Sequence, residues 1–502
     1  MVLLAAIDQG TSSSRFLVFE ADTGDLVTSH QIEVRQLFPS AGQVEMDPME
    51  LYDTVVTCIH KAIEKLENLG ISADEIKSVG VANQRETSIV WDKSTGKPLY
   101  NAIVWLDTRT SALAEEAISR TASKSQDEFK IKTGLPIHPY FSALKLKWLF
   151  ENVPEVHEAY DAGNLMFGTV DTWLIWKLTG AYVTDVSNAS RTLLLDLHKR
   201  KWSTQLCDFF SLPIEILPEI RSSAEVYGYF EKGPLEGVPL SGCLGDQQSA
   251  MVGHQCLNAG QTKNTYGTGT FMLCNIGTRP IISKNGLLTT VGFQFGADSP
   301  VVYALEGSGS IGGNVVRFLR DNFKFISDAK EMEEVCRKVE DTAGVYFVPS
   351  FTGLYTPYWD STARGTILGL TQVSQREHIC LAALRAVAFQ SAEMIAAVEH
   401  DLEDTTKITS LKVDGGMIAN KLFNEIQADI MGRDIVTPKI TEISGWGAAV
   451  AGGIGAQQIS LDEFLSQSSE AVRYTSEKDE QWRSKELGRW KEAVKRSCNW
   501  AH

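Results

Sequence analysis

The sequence predicts an α/β protein that is built on mixed β-sheets and divided into two related lobes. Its 502 residues are too many for one hydrophobic core. Apolar segments of strand length alternate along the chain with segments of helical periodicity, which is the pattern of an α/β fold. A strand, a Gly-Thr turn and a second strand occur near the N-terminus, at residues 10–11, and again past the midpoint, at residues 267–268. This echo predicts two related lobes that join near residues 250–260.

The first lobe opens with three predicted strands. Apolar or alternating segments cover residues 3–7, 15–21 and 26–34, and turn residues separate them. Asp47 then offers an N-cap and Pro48 suits the first turn of a helix, after which apolar residues recur at helical spacing. We expect a helix of about 20 residues at this point. A further apolar strand is predicted to follow it over residues 76–82.

The second lobe shows a similar succession of elements. Residues 263–276 are predicted to form a strand, a Gly-Thr turn and another strand, and residues 301–305 a further strand. A later strand over residues 411–413 leads into a turn with two glycines. The helix after that turn is expected to end at Gly432, since glycine is the usual residue at a helix C-terminus.

Composition and charge exclude several classes of protein. The net charge is −16 and no run of basic residues offers a phosphate-tracking surface, so we expect no nucleic-acid partner. The eight cysteines form no C-x-x-C pair, which is typical of reduced thiols in a reducing compartment. The N-terminus shows no signal peptide, and the longest uncharged stretch, residues 443–461, is too rich in glycine and polar residues for a membrane span. We therefore expect a cytoplasmic protein with no membrane span.

The first candidate site is the hairpin at residues 8–15 (DQGTSSSR). It carries four consecutive hydroxyl groups beside an arginine, in a turn whose backbone N–H groups face outward, and this combination suits a phosphate. Asp8 at the end of the first strand is a candidate to hold a magnesium-bound water. The alternative is an ordinary β-hairpin turn.

A second candidate site is the turn Asp414-Gly415-Gly416, where two glycines let a flat ligand approach the backbone. Asn420 in the first turn of the next helix is placed to reach an adenine or a ribose, and its alternative role is that of a residue near the helix cap. Neither a G-x-x-x-x-G-K-[ST] loop nor the glycine loop of protein kinases is present. If the chain uses ATP, it does so outside those two classes.

Polar side chains at strand ends form a third candidate site. Asp246 lies at the predicted junction of the lobes and is a candidate general base, with a turn residue as the alternative. Arg85 and Glu86 follow the strand over residues 76–82, where ligands of open α/β sheets gather. Side by side they offer donors and acceptors for the hydroxyl groups of a polyol, while the alternative is a surface ion pair.

Two aromatic residues are further candidates for a ligand site, and the usual hydrolase and zinc motifs are absent from the sequence. Trp105 and Phe271 are either core aromatics or walls of a ligand site. No histidine pair has metal-ligand spacing, and neither G-x-S-x-G nor H-E-x-x-H occurs. The sequence therefore gives no support to a hydrolase or to a zinc enzyme.

Eight ordered segments together carry a resemblance that spans nearly the whole chain. They are residues 8–15 (DQGTSSSR), 83–87 (NQRET), 100–105 (YNAIVW), 167–173 (FGTVDTW), 188–192 (NASRT), 245–248 (GDQQ), 264–269 (NTYGTG) and 414–420 (DGGMIAN). With them the chain resembles the glycerol kinases of the FGGY family of sugar kinases, which also includes xylulose and gluconate kinases. Residues 140–152 (YFSALKLKWLFEN) match the first signature pattern of that family.

The resemblance implies two ribonuclease H-like domains of the actin-like ATPase fold, with a cleft between them. Residues 1–252 would carry the glycerol site and the phosphate hairpin, and residues 253–502 the nucleotide site. The implied activity is ATP-dependent phosphorylation of glycerol to sn-glycerol 3-phosphate, with Mg²⁺ on the phosphates. A kinase for a related polyol or ketose sugar is the alternative, and an ATP switch without catalysis is a more distant one. Glycerol and ATP are the expected ligands, and a homo-oligomer, a dimer, is the expected assembly.

The resemblance also assigns roles to individual residues. The glycerol ligands would be Arg85, Glu86, Tyr140, Asp246 and Gln247, between walls formed by Trp105 and Phe271, and the general base would be Asp246. The transferred phosphate would meet Thr11, Ser12, Ser13 and Arg15. The nucleotide would be held by Thr268, Gly313, Arg317, Gly416 and Asn420. The residues near magnesium would be Asp8 and Asp246.

The chain departs from the family pattern at three places. Bacterial members often have glutamine where this chain has Arg317, on the adenine side. Residues 230–237 (FEKGPLEG) lack the glycines and basic residues with which some bacterial relatives bind fructose 1,6-bisphosphate, so we expect that control to be absent. The charged segment 485–502 replaces the hydrophobic tail of some animal forms, which implies a soluble form.

Overall fold

The computed structural model describes residues 2–309, 311–403, 406–467 and 471–501. Its strands are β1 (Leu3–Gln9), β2 (Ser13–Glu20), β3 (Leu26–Glu33), β4 (Glu45–Met46), β5 (Ile76–Asn83), β6 (Ile89–Asp92), β7 (Ala102–Ile103), β8 (Leu165–Gly168), β9 (Val183–Asp185), β10 (Leu195–Asp196), β11 (Lys201–Trp202), β12 (Glu219–Arg221), β13 (Ala224–Tyr229), β14 (Pro239–Gly245), β15 (Thr262–Tyr266), β16 (Thr270–Gly277), β17 (Leu288–Phe293), β18 (Val302–Gly309), β19 (Tyr346–Val348), β20 (Thr366–Leu368), β21 (Ser410–Asp414), β22 (Asp434–Pro438) and β23 (Ala471–Tyr474).

The α-helices lie between these strands. They are α1 (Pro48–Asn68), α2 (Ser111–Arg120), α3 (Lys130–Thr133), α4 (Ser142–Asn152), α5 (Pro154–Asp161), α6 (Val170–Thr179), α7 (Val186–Ala189), α8 (Thr204–Phe210), α9 (Asp246–Gly253), α10 (Asn314–Asp321), α11 (Glu331–Cys336), α12 (Arg376–Asp401), α13 (Lys421–Met431), α14 (Ile443–Gly455), α15 (Leu461–Ser466) and α16 (Glu480–Ser497).

Two large mixed sheets organise the molecule, one in each half of the chain. The first has the strand order β13-β14-β5-β1-β2-β3 and the second the order β17-β18-β16-β15-β21-β22-β23. In the first sheet β1 is antiparallel to β2 and parallel to β5, which is parallel to β14. In the second sheet β15, β16, β21 and β22 repeat these relations in the same order. The echo predicted from the two Gly-Thr turns is therefore confirmed as a repeated sheet topology.

Local sequence explains the predicted elements of the first lobe. All seven residues of β1 are buried, as expected of a central strand covered on both faces. The Asp47 carboxylate accepts a hydrogen bond from the backbone N–H of Met49 and Pro48 occupies the first turn, so α1 begins where the sequence predicts. In the second lobe Gly432 ends α13 with a φ of 63°, a left-handed conformation that glycine adopts at little cost.

The two lobes share one core around α9 and α14. Leu4 of β1 and Leu244 of β14 pack in the same cluster as Met251 of α9, Leu273 of β16 and Trp446 of α14. Helix α14 comes from the second half of the chain but packs on β1, β5 and β14 of the first sheet. The lobes are thus joined by a continuous apolar contact as well as by the chain.

Glycines make this close contact possible. A Cβ atom on Gly80 of β5 would lie 1.8 Å from the backbone oxygen of Ala448 in α14, and one on Gly447 would lie 1.9 Å from the backbone oxygen of Ser249 in α9. Neither backbone contact leaves room for a side chain. The helices therefore approach the sheet and each other more closely than any other residue would permit.

The helix that most resembles a membrane span is packed inside the second lobe. Within the described ranges, α12 is the one helix long and apolar enough to cross a membrane, and 72% of its most apolar window is buried inside the protein. It packs against α13 and the second sheet.

Replacing Gly80 by alanine should destabilise the protein, because the new methyl group meets the backbone of α14 and the helix must shift. We expect a loss of ~1–3 kcal/mol in the free energy of unfolding, which denaturant titration would measure. Gly488→Ala is the matched control, since this exposed position inside α16 has open space around it and should gain ~0.5–1 kcal/mol. Equal stability of both variants would contradict the close contact.

Candidate active site

The candidate site lies where three adjacent parallel strands of the first sheet end. Gln9 of β1, Asn83 of β5 and Gly245 of β14 are level with one another across the sheet. The residues that follow them, namely the hairpin at 10–12, the turn at 84–87 and the start of α9, therefore meet at one edge of the sheet. The sequence placed its first and third candidate sites on these same segments, and the structure brings them together.

Arg85 and Glu86 are buried rather than on the surface, with only 3% and 1% of their area exposed. Their charged partners come from elsewhere in the chain. Two guanidinium nitrogens of Arg85 donate to both carboxylate oxygens of Glu306 at 2.8 and 2.9 Å. Arg191 Nε donates to Glu86 Oε1 at 2.6 Å. The surface ion pair that the sequence left as an alternative is therefore wrong.

These four side chains form a buried row of alternating charge, in the order Glu86, Arg191, Glu306 and Arg85. Arg191 Nη1 joins the two pairs by lying 3.2 Å from Glu306 Oε2, and Arg85 Nε extends the row toward Asp246 Oδ1 at 3.4 Å. Burial raises the pKa of Glu306, but the guanidinium groups of Arg191 and Arg85 outweigh it and hold the pKa at about 2. Glu306 is therefore ionised between the two guanidinium groups.

Glu86 also has an unusual backbone. Its φ is 61°, in the left-handed region that residues other than glycine and asparagine rarely adopt. The Ser142 hydroxyl donates to its backbone oxygen at 3.0 Å, and that of Ser88 does so at 3.2 Å. Burial raises the pKa of its carboxyl, against the opposing charges of Arg191 and Arg85. Backbone strain of this kind is concentrated at functional sites.

Three aromatic residues form a wall beside this row of charged side chains. The Trp105 ring lies 5.6 Å from that of Tyr140 and 5.9 Å from that of Phe271, both edge-on. Its indole N–H donates to Thr11 Oγ1 at 2.9 Å, so the wall is tied to the phosphate hairpin. All three aromatic residues are half-buried, so part of each remains accessible to a ligand.

Tyr140 is held in place through its backbone. The buried ammonium of Lys145 donates to the backbone oxygens of Pro139 and Tyr140 at 2.7 and 2.6 Å. The backbone N–H of Tyr140 donates to His138 Nδ1 at 3.2 Å, which requires that this nitrogen carry no proton. Burial lowers the pKa of His138 to about 4, so the ring is neutral near pH 7.

The hairpin presents fewer hydroxyl groups than the sequence suggested. The Ser14 hydroxyl donates to Gln9 Oε1 at 2.7 Å and lies 2.7 Å from Thr54 Oγ1, on the buried side of the sheet. Thr11 and Ser12 lie in the turn, and Ser13 begins β2 with 8% of its area exposed. Three hydroxyl residues rather than four therefore belong to the outward face. The reason is the alternation of side chains along β2.

Asp8 and Arg15 lie together at the base of the hairpin. Arg15 Nη1 donates to Glu442 Oε2 at 2.9 Å and lies 3.5 Å from Asp8 Oδ2. Burial raises the pKa of Asp8 to about 6; the Arg15 charge opposes this, and the charges of Glu442 and Asp246 add to it. Asp8 and Asp246 are thus close enough to influence each other.

Asp246 is the first residue of α9, and the backbone N–H of Gln247 donates to its Oδ1 at 2.7 Å. Burial raises the pKa of Asp246, and the charges of Arg85 and Lys263 oppose that rise. Lys263 of β15 is fully buried, and its ammonium donates to Gln247 Oε1 at 2.5 Å and to Thr265 Oγ1 at 2.8 Å. It links the start of α9 to the second sheet.

A cavity of about 460 Å³ marks the second candidate site. Gly267 of the repeated Gly-Thr turn and Gly313 line one side, and Gly416 and Asn420 line the other. A Cβ atom on Gly416 would meet no atom within 4 Å, so the backbone there faces open space. The sequence placed Gly415, Gly416 and Asn420 at this site. Gly416 and Asn420 line the cavity, whereas Gly415 packs against the backbone of Tyr266 and is not among the lining residues.

Three of the residues predicted to bind the nucleotide differ in their position relative to the cavity. Asn420 Oδ1 accepts the backbone N–H of Phe423 at 3.1 Å, so it is also the N-cap of α13, which was the alternative for this residue. Thr268 is exposed in the turn, next to the lining residue Gly267. Arg317 is exposed on α10 and is not among the residues that line the cavity, so a nucleotide contact there stays a prediction.

Sequence reasoning missed a layer of buried residues under the site. The Asp185 carboxylate accepts hydrogen bonds from Ser187 Oγ and from Asn188 Nδ2, both at 2.9 Å. The Ser187 hydroxyl in turn accepts the backbone N–H of Gly245, and Asn188 exchanges side-chain hydrogen bonds with Asn83. One buried carboxylate thus organises the strand ends that carry Arg85 and Asp246.

A signal for some of the missed residues was present in the sequence. Glu306 is a single acidic residue within the apolar strand β18, and Lys263 is a basic one within β15. Charges in strands buried on both faces require partners, so such residues are candidates for a site. Their partners lie up to 221 residues away in the chain, and this separation hid the pairs.

Stability should depend on pH through His138. Because burial lowers its pKa from about 6.5 in the unfolded chain to about 4, the unfolded state binds more protons between these values. The stabilising effect of the neutral ring is complete above pH ~6.5 and is lost as the pH falls toward ~4. His138→Asn keeps an acceptor for Tyr140 and should show a shallower decline in urea unfolding across this range. Equal declines would contradict the assignment.

Comparison with known proteins agrees with the geometry. Residues 3–253 match the N-terminal domain of the FGGY family of carbohydrate kinases, and residues 262–456 match its C-terminal domain. The chain is 91% identical over 501 residues to a probable glycerol kinase of Caenorhabditis elegans, with full coverage of both chains. It is 46% identical to a glycerol kinase of Beutenbergia cavernae, covering 99% of this chain and 97% of that one.

The solved structures agree as well. The crystal structure of Plasmodium falciparum glycerol kinase with ADP has a TM-score of 0.90 and 37% identity, covering 99% of this chain and 98% of that one. A gluconate kinase from Lactobacillus acidophilus shares the fold at 20% identity, with a TM-score of 0.83. The fold is the actin-like ATPase fold with two ribonuclease H-like domains, as the sequence resemblance implied. This chain belongs to the FGGY family of carbohydrate kinases.

Proposed function

We propose that the protein transfers the terminal phosphate of ATP to glycerol and forms sn-glycerol 3-phosphate. The observation that carries the proposal is that buried Arg85 and Glu86 meet the partly exposed Asp246 between an aromatic wall and a hydroxyl-rich hairpin. The glycerol kinases at 91% and 46% identity support it. Release of ADP by the purified protein with and without glycerol is the direct test, and a panel with xylulose and gluconate separates the sugar-kinase alternative.

The acceptor site combines polar groups on one side with aromatic faces on the other. Arg85 and Gln247 offer donors, and Glu86 and Asp246 offer acceptors, for the hydroxyl groups of a small polyol. Trp105, Tyr140 and Phe271 would cover its carbon chain, and the Tyr140 hydroxyl adds a further polar contact. A site built to hydrogen-bond hydroxyl groups discriminates strongly against acceptors that lack them.

Asp246 would act as the general base. Its carboxylate takes the proton of the attacking glycerol hydroxyl as that oxygen bonds to phosphorus and the bond to the leaving ADP oxygen breaks. The charges of Arg85 and Lys263 favour the ionised carboxylate against the effect of burial.

The donor would lie across both lobes. Gly313, Gly416, Asn420 and the turn with Thr268 would hold the nucleotide in the 460 Å³ cavity, and Arg317 would reach its adenine side. The hydroxyl and backbone groups of residues 11–13, Thr11, Ser12 and Ser13, would face the transferred phosphate together with Arg15. Backbone N–H groups and one guanidinium are a suitable cradle for phosphate in an otherwise acidic protein.

Asp8 and Asp246 fit a magnesium ion. Both offer carboxylate oxygens, which this cation prefers, and the charge of Asp246 helps to raise the pKa of Asp8. A divalent cation at this place relieves that repulsion. When bound, Mg²⁺ would offset the charge of the phosphate groups.

We also propose the wider organisation of the protein. The lobes would divide near residue 252, since α9 ends the first half at Gly253 and the second sheet begins at Thr262. A cytoplasmic location is supported by eight cysteines that are all free. The homodimer stays a prediction.

Replacing Asp246 by asparagine should abolish most of the activity, because asparagine keeps the shape and the hydrogen-bonding groups but cannot accept the proton. We expect kcat to fall by ~10²–10⁴ with a smaller change in the KM for glycerol, measured by coupled ADP release. Turnover close to that of the unchanged protein would rule out the base assignment.

Replacing Gly416 by valine should weaken nucleotide binding alone. A Cβ atom at this position meets no protein atom within 4 Å, so we expect the fold to be kept while the valine side chain partly fills the cavity. We expect the KM for ATP to rise by about tenfold or more, with the affinity for glycerol unchanged in calorimetry. An unchanged KM for ATP would place the nucleotide elsewhere.

A further inference from the structure

Two members of the buried row of charges have been given no role in the reaction. Arg85 and Glu86, at its two ends, are the proposed glycerol ligands, while Arg191 and Glu306 lie between them. Arg191 and Glu306 each have a relative exposed area of 0%. A substrate in the cleft would therefore not touch them, and any effect they have on binding must pass through their partners.

We propose that Arg191 and Glu306 are positioning residues for the acceptor: they hold Glu86 and Arg85 in the orientation in which these two side chains meet glycerol. This inference rests on the proposed function. It adds to that function two residues that set acceptor affinity without contacting the acceptor.

The Glu306 carboxylate determines which nitrogen of Arg85 faces the cleft. It accepts from both terminal nitrogens of Arg85, at 2.8 and 2.9 Å, in the bidentate geometry that fixes the plane of a guanidinium group. Arg85 Nε is then directed toward Asp246 Oδ1, 3.4 Å away. Loss of the Glu306 charge would free the guanidinium to rotate and would take Nε away from the base.

Arg191 determines which oxygen of Glu86 is free. Its Nε donates to Glu86 Oε1 at 2.6 Å, which leaves Oε2 for a hydroxyl group. The guanidinium also lies 5.7 Å from the centre of the Tyr140 ring and 5.4 Å from that of Phe141, so it packs behind the aromatic wall. Arg191 thus touches two of the proposed glycerol ligands at once.

The row is arranged at a cost to stability. Among the described residues, Arg191 Nη2 is a buried donor without a hydrogen-bond partner, and Nη1 lies 3.2 Å from Glu306 Oε2 without forming a well-directed hydrogen bond. Buried donors that lack partners destabilise a fold, and an ion pair replaced by apolar side chains is often no less stable. Together with the strained φ of 61° at Glu86, this favours a role in binding over a role in folding.

Glu306 also makes the acceptor site depend on both lobes. It lies on β18 of the second sheet, whereas Arg85, Glu86 and Arg191 belong to the first lobe. The guanidinium of Arg85 is therefore oriented only when the second sheet is in contact with the first. Acceptor affinity becomes a property of the assembled cleft.

The test uses the full-length protein with Glu306→Gln and Arg191→Lys, which keep the size or the charge of the side chain. In both variants we expect the KM and the calorimetric Kd for glycerol to rise by about 10- to 100-fold, with kcat and the KM for ATP changed by less than about threefold. Glu399→Gln is the matched control, because Glu399 forms a similar bidentate pair with Arg433 at 2.8 and 2.9 Å within the second lobe. It should lower the melting temperature and leave the KM for glycerol unchanged.

A double-variant cycle tests whether Glu306 acts through Arg85. Arg85→Gln alone should raise the KM for glycerol, and adding Glu306→Gln should raise it by less than about twofold more if the two residues act as a unit. If the rise in KM of the double variant equals the product of the two single rises, the inference is overturned. It is also overturned if Glu306→Gln and Arg191→Lys both fold and show the same KM for glycerol as the control Glu399→Gln. If the unchanged protein shows no glycerol-dependent release of ADP, the proposed function fails instead. Should Glu306→Gln not fold, Arg191→Lys gives the same decision alone.

Discussion

The ion pair between Arg85 and Glu306 is the contact on which the arrangement of the cleft depends. It joins the end of β5 in the first sheet to β18 in the second, and both side chains are almost fully buried. Neither charge can be left alone at such a place, since an unpaired buried charge costs several kcal/mol. The two sheets must therefore meet in the one relative position that pairs them. The glycine contacts between β5 and α14 allow a close approach within the core that the two lobes share.

The repeated topology explains why one motif appears twice with different tasks. The first β-strand of each sheet turns back on itself through Gly-Thr, at residues 10–11 beside the acceptor cleft and at residues 267–268 beside the large cavity. In each lobe a parallel neighbouring strand ends in a polar turn, with Arg85 after β5 and Asp414 at the end of β21. Two copies of one scaffold thus face each other with different side chains. Such a duplication suits a reaction that needs one partner on each side.

The sequence predicted the scaffold better than the contacts within it. Local signals were strong for β1, for α1 with its Asp47 cap and for the Gly432 stop, because each rests on neighbours within a few residues. The location of Arg85 and Glu86 was predicted, but their partners were not, since Glu306 lies 221 residues from Arg85. Pairing over such distances depends on how the two sheets meet, and neither spacing nor periodicity reports that.

Smaller differences have the same origin in tertiary contacts. Ser14 shares a run of hydroxyl residues with its neighbours, yet strand alternation turns it inward to Thr54, which belongs to α1. The resemblance to a family supplied the expected ligand residues as a set of positions, and the structure adds the order in which hydrogen bonds connect the residues around them. That order, from Asp185 through Asn188 to Asn83, could not be read from any single motif.

Charge balance connects this order to the chemistry. The chain carries a net charge of −16, which disfavours a polyanionic donor at long range. Near the cleft, however, the buried cations Arg85 and Arg191 are paired with the carboxylates of Glu306 and Glu86, while Lys263 donates to the neutral side chains of Gln247 and Thr265. Arg15 remains at the hairpin, one-third exposed and shared between Asp8 and Glu442. A phosphate that reaches it competes with those two carboxylates and brings further negative charge to a place where burial and the charges of Glu442 and Asp246 already raise the pKa of Asp8. A phosphate at the base of the hairpin therefore needs a cation beside it, which agrees with the magnesium site proposed at Asp8 and Asp246.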